Sequence, residues 1–167
     1  MHKSINYKNF SIDIFKAIGD DAFILASGTI EDHNCMTVAW ASLGFLWRRP
    51  MAFVYVRPQR YTYLFMEKYD YFSINFFTND YSDVINLCGT YSGRDINKMK
   101  LEKITPIDYF NKVIYYKEAK TVLICKKVYY QDLNPANIID KSIFKLYPLK
   151  DFHRIYYGEI IEILSNS

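Results

Sequence analysis

The chain has little of what most readily announces a function. Only three of its 167 residues are cysteines. Cys35, Cys88 and Cys125 are odd in number, widely spaced and without a Cys-x-x-Cys pair. That pattern indicates neither a disulfide framework nor a structural zinc site, and a reducing cytoplasm is the expected compartment. His2 and His33 share no close spacing with other metal ligands, so no metal is expected. Charge of one sign is also scarce. The formal net charge is +3, with Lys and Arg scattered among the acids. Nothing resembles the basic stripe of a nucleic-acid footprint, so no nucleic-acid partner is expected. No run approaches the ~18 apolar residues of a membrane span, and the N-terminus lacks the apolar core of a secretory signal. The glycines fit neither a dinucleotide fingerprint nor a nucleotide-hydrolase phosphate loop. Neither a nucleophile elbow nor a spaced pair of hydrolytic acids is present.

What is present is apolar and aromatic. Half of the residues are hydrophobic, and Tyr (16) and Phe (12) are abundant. This is enough for the core of a single domain over residues 1–167, and it favours strands over a helical bundle. Strands are expected at 22–30, 36–43, 51–56, 71–77, 112–116, 121–131 and 155–164. The third of these is apolar on both faces and therefore central. Pro58 ends it, since proline cannot donate to a ladder. Short helices are expected over 61–68 and 80–88, the second with Asp80 or Ser82 as cap. Residues 89–100 read as a polar loop. Strands without regular helical crossovers disfavour a doubly wound sheet, so a closed or partly closed antiparallel barrel is expected.

Three fragments carry the chemistry. Arg57-Pro58-Gln59-Arg60-Tyr61-Thr62 places two guanidinium groups and a hydroxyl around a helix start, a pattern suited to an anion such as phosphate. Taken alone, the six residues are better read as a solvated turn. Asn34-Cys35-Met36-Thr37-Val38-Ala39-Trp40 could lay an extended backbone against a flat heteroaromatic ring, or could simply fill a core with Met36 and Trp40. Cys88-Gly89-Thr90-Tyr91-Ser92-Gly93-Arg94-Asp95-Ile96-Asn97-Lys98 allows close backbone approach at its glycines and adds a point charge at Lys98, or is a plain surface loop. His153, just before the last strand, either faces a ligand or is structural. Cys35 adjoins the ring site with no base or partner cysteine near it in sequence, which reads as a buried inert thiol.

Read together and in order, these fragments resemble a known family. Asn34-x-Met36-Thr37-x-x-Trp40, Pro50, Val56-Arg57-Pro58-x-Arg60-Tyr61-Thr62, Phe72-x-Ile74-Asn75, Ser92-Gly93-Arg94-Asp95-x-x-Lys98 and His153-Arg154-x-Tyr156-Tyr157-Gly158-Glu159-Ile160 resemble the flavin reductase-like, FMN-binding split-barrel family, on its flavoredoxin-like branch. The likeness covers residues 20–164. It implies a mainly β fold, a six-stranded antiparallel split β-barrel of Greek-key character with two or three short helices, and a homodimer that binds FMN. By the same likeness the flavin ring lies against Asn34, Met36, Thr37 and Trp40, and the phosphate against Arg57, with Arg60, Tyr61, Thr62 and Lys98 nearby.

The implied function is that of an FMN-dependent oxidoreductase. It is either a reductase of flavin or a small acceptor with NADH or NADPH as reductant, or a flavoredoxin-like carrier that passes electrons to a redox protein partner. The flavin does the chemistry, so no catalytic side chain need be named. A rival of another class is a non-enzymatic β-barrel module that binds a different planar anion, or single-stranded nucleic acid on its tyrosines.

Overall fold

The computed structural model describes residues 2–166. In chain order the strands and helices are β1 (Lys3–Ile5), β2 (Phe23–Gly28), β3 (His33–Val38), β4 (Ala41–Leu46), β5 (Arg49–Val56), α1 (Tyr61–Lys68), β6 (Tyr71–Phe76), α2 (Ser82–Thr90), β7 (Pro106–Tyr109), β8 (Val113–Tyr116), β9 (Thr121–Asp132) and β10 (Arg154–Ser165). The main sheet is antiparallel in the order β3-β2-β6-β9-β10-β5-β4, with β1 added to β10. β7 and β8 form a separate hairpin. The expected six strands of a split barrel are met by β2, β3, β5, β6, β9 and β10, and β4 extends the path at one edge. No helix among the described residues is long and apolar enough to cross a membrane.

The period-two pattern explains the two-layer core. In β2, Phe23 and Leu25 join one apolar cluster while Ile24 and Ala26 join the other, so both faces of the strand are buried. The first cluster fills the inside of the curled sheet with Val54, Met66, Phe72, Ile74, Leu123 and Tyr156. The second lies on the opposite face, where α2 and β8 contribute Val84, Ile85, Val113, Ile114 and Tyr116. Buried polar side chains tie the layers. Asn75 donates through Nδ2 to the Ile24 carbonyl at 3.1 Å and accepts from the Tyr116 amide at 3.0 Å. Ser73 donates to the Ile114 carbonyl at 2.7 Å.

Several boundaries differ from the sequence reading. The strand expected over 36–43 is two strands, β3 and β4, that belong to opposite edges of the sheet path and are joined only by Ala39 and Trp40. Both flanks are apolar, so periodicity alone carried the strand through the break. His33 and Asn34, which fall between the first two expected strands, begin β3. Residues 45–50, which lie between the second and third expected strands, form a tight hairpin turned at Trp47 and Arg48, which take positive φ of 52° and 60°. Mirror-type hairpin turns ordinarily announce themselves by Gly or Asn, and this one does not. α2 starts from Tyr81 with no side-chain cap, so neither Asp80 nor Ser82 caps it. β1 and β7 are short strands with no periodic signal of their own.

Gly158 marks a register shift in the β9–β10 ladder. A Cβ there would meet Phe72 Cζ at 2.4 Å and the Cys125 Cβ at 2.9 Å, and Phe72 is fully buried with no room to retreat. Gly158→Ala is therefore expected to destabilise the fold by ~1–3 kcal/mol, the usual range for overpacking, read as a lower midpoint in urea unfolding. An unchanged midpoint would show that this contact does not constrain the barrel.

Candidate functional site

β3 has a neighbour on one side only, so its outer edge presents backbone N–H and C=O groups that no ladder uses. Beside that edge lies a cleft of about 320 Å³ lined by Met36, Thr37, Val38, Ala39, Trp40, Tyr55, Arg57, Arg60, Gly89 and His153. Each element places its residue for a local reason. Tyr55 and Arg57 are two apart at the end of β5 and so share a face. The antiparallel pairing of Arg154 with Val56 sets His153 beside Arg57. The turn after Pro58, closed by the Arg60 amide on the Arg57 carbonyl at 3.0 Å, brings Arg60 to the start of α1. Thr37 donates its hydroxyl to the Ile85 carbonyl, which pins β3 onto α2. A Cβ on Gly89 would lie 3.3 Å from Thr37 Cβ, so this glycine lets helix and strand approach closely.

The cleft is electropositive and aromatic. Arg57 Nη1 donates to Asp151 Oδ2 at 2.7 Å and Nη2 to the Leu146 carbonyl at 2.9 Å, while the guanidinium lies 4.9 Å from the Tyr147 ring centroid. Gln59 donates to the same Asp151 oxygen, and Asp151 Oδ1 is buried with no partner. The Arg57 hydrogen bond holds the Asp151 carboxyl below its usual range. Arg60 is more loosely tied, with Nη1 3.4 Å from the Gly89 carbonyl. Trp40 is 42% exposed and packs on His153 at 4.9 Å between ring centroids. His153 Nδ1 lies 2.7 Å from the Tyr147 hydroxyl. Burial, reinforced by Arg57, lowers the His153 pKa from its ordinary 6.5 to about 4, so the ring is neutral at pH 7.

Of the nine residues singled out in the sequence, Met36, Thr37, Trp40, Arg57 and Arg60 meet in this cleft. Asn34, Tyr61 and Lys98 line an adjoining hollow of about 360 Å³ that shares β3 and the start of α1. Thr62 lies beneath it, 1% exposed, with its hydroxyl accepting from Asn34 Nδ2 at 2.8 Å. Gly93 seals that corner, because a Cβ would stand 2.2 Å from Asn34 Oδ1 and 2.7 Å from Tyr61 Cδ1. Lys98 is buried and donates to the carbonyls of Cys35 at 3.1 Å and Cys88 at 2.8 Å. Its charge is thus held on two peptide oxygens, and burial lowers its pKa. Tyr55 was not singled out, while Val38, Ala39 and Gly89 stood only inside the ring-facing and glycine-bearing fragments. For Tyr55 the signal was its two-residue spacing from Arg57. For Gly89 the sequence offered close backbone approach, and the structure shows the neighbour it approaches to be Thr37.

The family model described as flavin reductase like domain matches residues 17–167. No curated protein matches the chain. Among solved structures, a flavoredoxin from Methanosarcina acetivorans superposes with a TM-score of 0.69 at 21% identity, over 99% of this chain and 76% of that one. An FMN-binding protein from Thermus thermophilus, solved with p-hydroxybenzaldehyde, gives 0.70 at 15% identity, over 99% and 82%. An NADH:FAD oxidoreductase from Streptomyces globisporus, solved with NAD and FAD fragments, gives 0.65 at 11% identity, over 87% and 74%. At these identities the likeness is one of fold.

The neutral, buried His153 makes stability depend on pH. Its folded pKa, about 4, lies below the ordinary 6.5, so the unfolded chain binds the extra proton between those values. The contribution is whole above pH 6.5 and is lost as pH falls through 4, by roughly 3–4 kcal/mol in total. His153→Gln is expected to flatten that segment of the stability profile, measured by urea unfolding at successive pH values. A variant profile parallel to the wild type would contradict the assignment.

Proposed function

The chain belongs to the flavin reductase-like domain family, and from that premise we propose that it is an FMN-dependent oxidoreductase whose flavin occupies the cleft beside β3. The observation that carries this reading is the pairing of two guanidinium groups, Arg57 and Arg60, with an aromatic wall and an open strand edge in one cleft. A phosphorylated planar cofactor has a use for each part. The strand edge from Met36 to Val38 supplies donors and acceptors for the polar rim of the ring. Trp40, Tyr55 and Met36 supply apolar surface. Arg57 and Arg60 hold the phosphate by charge-assisted hydrogen bonds, and the first turn of α1, which has no side-chain cap, adds backbone N–H groups to that end. Asn34, Tyr61, Thr62 and Lys98 hold the walls of the site in place from the adjoining hollow.

When bound, the flavin supplies the electron chemistry. The protein's own residues bind it, orient it and limit access. Neutral His153 and the Tyr147 hydroxyl form a linked polar pair at the cleft wall that can donate to a ligand without adding charge. We take NADH or NADPH as the electron donor for a reductase of flavin or a small acceptor. A flavoredoxin-like carrier that receives its electrons from a redox protein is the second version. Mixing flavin-loaded protein with each nucleotide separates them, since only the reductase is bleached by one. We further propose a homodimer, supported by the aromatic cluster of Phe53, Tyr129, Tyr157 and the exposed Trp47 on the outer face of β5, β9 and β10.

Arg57→Ala tests the phosphate end. It removes a guanidinium and also leaves Asp151 as an uncompensated carboxylate in the cleft. FMN affinity should fall by about one to two orders of magnitude, the equivalent of ~1.5–3 kcal/mol for a charged hydrogen bond, while riboflavin affinity changes far less. Fluorescence titration with both ligands checks this. Equal losses for the two would remove Arg57 from the anion site.

A further inference from the structure

Two of the three cysteines, 53 residues apart in sequence, meet in the fold. Cys35 Sγ in β3 and Cys88 Sγ in α2 are 3.7 Å apart, and their relative exposures are 0% and 1%. Cys125 lies in the other apolar cluster, inside the curled sheet. The backbones that carry the pair are already drawn together by the Thr37 hydroxyl on Ile85 and by the close approach at Gly89. Closing the sulfurs to a bonded distance of about 2 Å therefore needs side-chain rotation and little backbone travel.

The surroundings favour sulfur chemistry. The Lys98 ammonium sits on the peptide carbonyls of both cysteines, a positive charge held next to the pair at the wall of the adjoining hollow. The buried Tyr116 hydroxyl, without a hydrogen-bond partner, lies beside Cys35. The two thiols share one hydrogen bond in which either can donate, and that bond together with the nearby Lys98 charge favours a thiolate on the accepting sulfur, against the opposing effect of burial.

We propose that Cys35 and Cys88 form a redox-active dithiol that hydrogen peroxide converts to an intramolecular disulfide. The Cys35 thiolate attacks one peroxide oxygen. The O–O bond breaks, Cys35 becomes a sulfenic acid, and the departing hydroxide takes up the proton lost from the Cys35 thiol to leave as water. The Cys88 sulfur then attacks Cys35. The S–S bond forms, the S–O bond breaks, and a second water carries away the Cys88 proton. Two thiols lose two electrons and two protons, and the peroxide is reduced to two waters. Hydrogen peroxide suits a pair this deeply buried because it is small enough to follow a transient opening. The bridge joins β3 to α2 one residue from Met36 and one from Gly89, both in the cleft wall. The dithiol stands on its own geometry, whatever the cleft binds.

The test is treatment of the purified 167-residue chain with hydrogen peroxide, followed by denaturation, alkylation with iodoacetamide and mass spectrometry. Two of the three thiols should become unreactive, the chain should lose the mass of two hydrogens, and digestion should give a Cys35–Cys88 linked peptide that dithiothreitol reverses. Cys125→Ser should form the same link. Cys88→Ser should stop at a Cys35 sulfenic acid that dimedone traps. Three thiols that stay alkylatable would overturn the proposal. So would a link through Cys125 or between two chains, or oxidation past the sulfenic acid in the wild type without a bridge. If Cys88→Ser fails to fold, the wild type and Cys125→Ser decide the matter.

Discussion

The site depends on an unmade set of hydrogen bonds. Ala39 and Trp40 carry the chain from β3, at one edge of the sheet path, to β4, at the other, and the two strands do not pair. An exposed edge is ordinarily a liability, because its open N–H and C=O groups invite pairing with other chains. Here the edge is managed locally. Lys98 takes the Cys35 carbonyl, Thr37 anchors the strand to α2, and the cleft covers the next residues. The barrel is held open where a ligand can use its backbone and closed by side chains elsewhere.

The charges follow from that opening. Arg57, at the end of β5, reaches the cleft together with its own counter-ion, Asp151, from the segment that leads into β10. The pair is partly buried, so separating it without a replacement anion is expensive. A ligand phosphate is such a replacement, because it offers Arg57 a second acceptor while Asp151 keeps Gln59. His153 stays neutral in the same field because burial and the two arginines act together against its proton. The cleft thus carries positive charge at its arginine end and polar neutrality at its histidine wall, the gradient that a molecule with an anionic tail and a flat head can read.

Much of the strand inventory was legible, because Phe72 to Phe76 alternates with period two, and Phe23 to Ala26 and Val122 to Ile124 are the short continuous apolar runs of strands buried on both faces. The break at Ala39 was not, since the residues on both sides are as apolar as a continuous strand. Arg57 and Arg60 were visible as an anion pair because Pro58 forces a turn between them. Asp151 was invisible as the partner of Arg57, being 94 residues distant with no pattern to link them. Lys98 was read as a free charge for a ligand, whereas the fold uses its ammonium to hold β3 and α2. Cys35 looked solitary for the same reason: its neighbour Cys88 arrives only when α2 packs on β3.

The central claim is that this cleft holds FMN, and thermal unfolding of the purified protein against rising FMN tests it most directly. A ligand of the native state at a hundredfold excess over its dissociation constant adds ~2.7 kcal/mol, which for a chain of this size raises Tm by roughly 5–10 °C. The account predicts that rise, saturating in step with one flavin retained per chain on gel filtration. A Tm that does not move with FMN, in protein that elutes without flavin absorbance, would contradict it.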